Sequence, residues 1–69
     1  MKTKTAILSI ENLTVEGTSD LSPMLKSLLG VAEVEFSVER QVAVIEFDPA
    51  SITVEDLIRS VLLKGYKVV

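Results

Sequence analysis

Cysteine, histidine and tryptophan are all absent from this chain of 69 residues. Without a thiol there is no thiolate nucleophile, redox pair, iron–sulfur cluster or zinc–thiolate site. Without an imidazole there is no Ser–His–Asp triad and no usual ligand for zinc, nickel or copper(II). Natural domains this short often rely on disulfides or a structural metal, so the apolar residues, 48% of the chain, must carry the fold. A chain of this size buries only about 60% of the surface its unfolded form exposes. The length allows one domain, residues 1–69.

Positive charge is also scarce. Seven Lys and Arg against ten Asp and Glu leave a net charge of −3, which argues against nucleic acid as a partner. One Tyr and two Phe offer few platforms for stacking bases. Long apolar runs are missing, and nothing approaches the roughly 20 residues of a membrane span. Met1-Lys2-Thr3-Lys4 resembles the start of a charged leader, but the apolar stretch behind it, Ala6-Ile7-Leu8, is broken at Ser9. A soluble, cytoplasmic protein without membrane insertion is the expectation.

What is present is periodic. Over Thr3–Ile10, Ala6, Leu8 and Ile10 fall on one side with Thr5 and Ser9 among those on the other, a half-buried strand. Glu11–Ser19 is expected to be a polar loop, with Asp20 or Ser22 capping a helix whose apolar face is Leu21, Met24, Leu25 and Leu28. In that placement Pro23 sits in the first turn, where its missing N–H has no intrahelical partner. Gly30 ends the helix. Ala32, Val34 and Phe36 form a second strand and Ala43, Ile45 and Phe47 a third, joined by Val38–Gln41. Asp48-Pro49 stops the third strand, and Thr53 with Asp56 makes a capping-box-like start for a second helix. Val54, Leu57, Ile58, Val61 and Leu62 are its apolar face, Gly65 its stop, and Tyr66–Val69 a last strand. The order βαββαβ predicts an α+β ferredoxin-like sandwich: a four-stranded antiparallel sheet with two helices on one face.

Leu25–Val31 followed by Val34 and Phe36, then Phe47-Asp48-Pro49, Ile52-Thr53, Leu57-Ile58 and Gly65-Tyr66, resemble the heavy-metal-associated domains in order and spacing. The resemblance implies the same βαββαβ fold and a metal-handling setting. That family carries Gly-Met-x-Cys-x-x-Cys between the first strand and first helix, and its two thiolates clamp Cu(I), Zn(II), Cd(II) or Hg(II). Here the stretch reads Ile10-Glu11-Asn12-Leu13-Thr14-Val15-Glu16-Gly17-Thr18-Ser19. Counting back from Gly30 puts the cysteine positions on Thr14 and Gly17; counting forward from Ile10 puts them on Val15 and Thr18. The loop is about one residue shorter than the family pattern, and neither count supplies a thiol. Tyr66 matches the family's Gly-Tyr position, and the resemblance implies that it lies close to this loop; the alternative is a ring on the core rim with its hydroxyl in water.

Met1 and Met24 are the only sulfurs, and Met24 belongs to an apolar helix stripe. Hydroxyls of Thr14, Thr18 and Ser19 are poor ligands for a soft metal, so no metal or cofactor is expected. Glu11, Glu16 and Asp20 match no dedicated cation loop, and Asp20 is more simply a helix cap. Glu33, Glu35 and Glu46, with Val42 and Val44, are expected on the open sheet face. They serve there either as solvated edge protection or as a docking face for a basic partner. No nucleophile–base pair can be assembled, so no enzyme is expected. The sequence therefore points to protein–protein docking, regulation or self-association by a domain that has lost its thiolate site. Metal transport through non-cysteine ligands and small-molecule (amino-acid) sensing are the alternatives.

Overall fold

The computed structural model describes residues 2–69; Met1, one of the two sulfurs weighed above, lies outside them. The elements are β1 (Lys4–Glu11), α1 (Val15–Lys26), β2 (Val31–Ser37), β3 (Val42–Phe47), α2 (Val54–Leu63) and β4 (Lys67–Val68). The strands form one sheet in the order β2-β3-β1-β4, with every neighbouring pair antiparallel. This is the expected ferredoxin-like arrangement.

Alternation dictates the layering. Ala6, Leu8 and Ile10 of β1 and Ala43, Ile45 and Phe47 of β3 turn inward, where they meet Leu21 and Leu25 of α1 and Leu57 and Val61 of α2. Each buried Leu, Ile, Val or Phe among them contributes about 1.5–3 kcal/mol relative to exposure. The other sheet face stays open. Gly30, at φ +97°, lets the chain turn into β2 where an added Cβ would lie 2.8 Å from the Cβ of Ser51. Thr53 and Asp56 close a reciprocal cap on α2, with bonds of 3.1 and 3.2 Å.

Several expectations need correction. Helix α1 begins at Val15, not after Asp20, because Thr14 in extended backbone accepts a hydrogen bond from the Gly17 N–H and so caps the helix earlier. Most of the expected polar loop is therefore helix. Asp20 is an interior residue paired with Lys64 at 3.3 Å, not a cap. Pro23 lies deep in α1, where it offers no N–H to the Ser19 carbonyl. Ala32 is exposed, because a bulge between the pairs Val31↔Phe47 and Glu33↔Glu46 leaves it unpaired. Val54 and Leu62, at 40% and 49% exposure, flank the buried stripe of α2 and do not belong to it.

Candidate functional site

The segment that joins β1 to α1 is short and tightly held. Asn12 turns the chain with φ 60° and Leu13 drives its side chain into the core. Thr14 then opens the helix, its hydroxyl accepting from the Gly17 N–H at 3.0 Å. The Thr18 hydroxyl donates to the Val15 carbonyl at 2.7 Å. Val15 points into solvent, 69% exposed.

Two residues from distant parts of the chain complete this end of the molecule. Gln41, in the β2–β3 turn, brackets Leu13 with its carboxamide, at 2.8 Å to the N–H and 2.6 Å to the carbonyl. In the sequence Gln41 is only the last residue of the connection Val38–Gln41, and nothing in its neighbours signals the contact. Tyr66, just before β4, packs on the rim of the core. Its hydroxyl lies over Gly17, 2.7 Å from where a Cβ would stand. The ring packs as the alternative reading expects, but the hydroxyl lies over the first turn of α1. An open hollow of about 320 Å³ lies alongside, lined by Glu11, Asn12, Gly65, Tyr66 and Lys67.

The donor set does not fit a soft metal. Val15 offers carbon, Gly17 offers no side chain, and the hydroxyls of Thr14 and Thr18 are engaged with the helix backbone. Met24 packs against the core. Among the described residues no three acidic side chains converge to hold a cation, so Glu11, Glu16 and Asp20 make no such site.

The acidic residues expected on the sheet form a second feature. Glu33 stands opposite Glu46 across β2 and β3, and Glu35 opposite Val44. Glu33, Glu35, Val44 and Glu46 rim a shallow hollow of about 80 Å³. Val42 is half-buried farther along β3.

A family description, heavy-metal-associated domain, matches residues 8–67. The chain belongs to this family. Solved structures agree with the fold across nearly its whole length. Oxidized MerP from Ralstonia metallidurans CH34 is similar at TM-score 0.90 and 26% identity, over 99% of this chain and 96% of that one. The N-terminal domain of a potential copper-translocating P-type ATPase from Bacillus subtilis, solved in its Cu(I)-loaded state, is similar at TM-score 0.88 and 26% identity, over 97% and 85%. The CopZ metallochaperone, at 21% identity and TM-score 0.90 over 96% and 100%, matches in fold. Comparison with curated protein sequences gives no match. Among its described residues this heavy-metal-associated domain has no helix long and apolar enough to cross a membrane.

Proposed function

We propose that this heavy-metal-associated domain is a non-enzymatic docking or regulatory module of a metal-handling system, acting through protein–protein contact and not through thiolate capture. The observation that carries the reading is the commitment of the loop to its own structure. The Thr14 hydroxyl caps α1, Gly17 has no side chain, and Tyr66 lies over it. A soft cation would find carbon and engaged hydroxyls where the family places sulfur. Identity of 26% to the ATPase domain and to MerP supports the metal-handling context. A cytoplasmic setting is part of the proposal.

Of the two counts, the forward one accounts for more. It puts Asn12, with φ 60°, on the family's glycine and buried Leu13 on its methionine. Val15 and Thr18 then stand at the cysteine positions, and the missing residue falls after Thr18, within the helix.

Anaerobic dialysis against a buffered Cu(I) source tests the proposal with its own positive control. The wild-type chain is expected to emerge free of copper, and the V15C/T18C variant to retain it. Stoichiometric copper on the wild-type chain overturns the reading.

A further inference from the structure

The open face of the sheet has no partner within the fold, and the strand register fixes what it presents. Glu33 faces Glu46, which faces Thr5; Glu35 faces Val44, which faces Ile7; Ser37 faces Val42, which faces Ser9. Two carboxylates directly opposed on neighbouring strands weaken a sheet, and Glu35 adds a third charge beside them. Among the described residues the ion pairs are Arg59–Asp56 and Lys64–Asp20, both in the helical layer, so the sheet carboxylates are not neutralised. Between them runs apolar surface: Val44 in the hollow and, next in its row, Ile7 at 67% exposure. An apolar floor with an acidic rim complements Lys and Arg, whose stems pack on carbon while their heads seek carboxylates.

We infer that this face docks a basic segment of a partner protein, its Lys or Arg stems lying over Val44 and Ile7 and their heads meeting Glu33, Glu35 and Glu46. The inference rests on the docking reading above and names that module's surface and the chemistry of its partner. A second copy of the chain does not fit. Face to face, it would set Glu11, Glu33, Glu35 and Glu46 against the same carboxylates, with Lys67, among the described residues of these strands, the lone cation on each face. Nucleic acid and anionic membranes are repelled for the same reason.

The test titrates an acetylated and amidated Lys–Thr alternating octapeptide into the isotope-labelled full chain at low salt, followed by backbone amide signals. Shifts are expected at Ile7, Glu33, Glu35, Val44 and Glu46, and they fade as salt screens the charges. The E33Q/E35Q/E46Q variant is expected to bind about tenfold more weakly, and E16Q/E39Q/E55Q, with the same change in net charge, within about twofold of wild type. The sheet variant should melt no lower than wild type, because it relieves like-charge opposition, so its lost affinity is not unfolding. Shifts spread over the helices, or equal weakening of both variants, overturn the inference. If dialysis leaves the wild-type chain free of copper in that case, the broader docking reading stands; copper on the wild type removes both.

Discussion

The Gln41 carboxamide pairs with both backbone groups of Leu13, accepting from its N–H at 2.8 Å and donating to its carbonyl at 2.6 Å. A side chain thereby does for the loop what a neighbouring strand would do. The same Nε2 donates to the Val38 carbonyl at 2.8 Å, and the Gln41 carbonyl accepts from Ile10 at 2.8 Å. To reach this position Gln41 holds φ at 60°, a region that favours glycine. The turn between β2 and β3 is thus fastened to the segment that precedes α1.

Gln41→Gly separates the two effects, since glycine keeps the backbone while losing the carboxamide. Loss of partners for the part-buried backbone groups of Leu13 should cost about 1–3 kcal/mol in urea, offset in part by the ease with which glycine holds φ 60°. Hydrogen exchange at Leu13 should quicken more than at Leu57. Unchanged stability and exchange would show the clamp to be idle.

Gly17→Ala places a methyl against the Tyr66 hydroxyl, which must move. Tyr66 is the only tyrosine and tryptophan is absent, so intrinsic fluorescence reports this contact alone. The emission should change on substitution. In a Tyr66→Ala background the same change should instead stabilise the domain by about 0.5–1 kcal/mol, the usual gain when alanine replaces a helical glycine. Equal effects in both backgrounds would contradict the contact.

Pro23 is exposed and interior to α1. Pro23→Ala restores a donor to the Ser19 carbonyl at no cost in packing. It should stabilise the domain by about 1–2 kcal/mol, the helix gain of about 3 less the added freedom of the unfolded chain. A lower thermal midpoint would mean that the proline holds a shape the fold needs.

Asp56 titrates below its ordinary value of 3.8, chiefly because its carboxylate accepts the Thr53 N–H, with the Thr53 hydroxyl adding to the effect. A folded value depressed below the unfolded one gives a contribution that is complete above 3.8 and lost as pH falls through the folded value. Carboxyl NMR should find the Asp56 titration displaced below 3.8. Thr53→Ala should raise it only part of the way, since the backbone donor survives.

Much of this fold was legible because alternation and helical spacing survive where side chains pack. Ala6, Leu8, Ile10, Ala43, Ile45 and Phe47 are all inward as their period demands. The start of α1 was not legible for a specific reason. Gly17, Leu21 and Leu25 are buried in a row at four-residue spacing, but Gly17 carries no apolar side chain, so the stripe appears to begin at Leu21. Asp20, Ser22 and Pro23 then mimic the composition of a helix start. A Thr14 cap followed by Val15 was the signal available.

The candidate site was legible in its losses and not in its construction. That the loop holds no thiol follows from composition. That Gln41 ties it down, and that Tyr66 reaches Gly17, depend on contacts across 28 and 49 residues of chain that no local pattern encodes. The bulge at Ala32 escaped for a related reason: one extra residue in β2 reverses a side chain without leaving a mark in the sequence.

The most direct test of the account is an anaerobic titration of the isotope-labelled chain with Cu(I) and then Zn(II), read residue by residue through the backbone amides. The account predicts that Thr14, Val15, Gly17, Thr18 and Tyr66 keep their positions at excess metal. Saturable shifts confined to those residues would contradict it and return the domain to metal transport through non-thiol ligands.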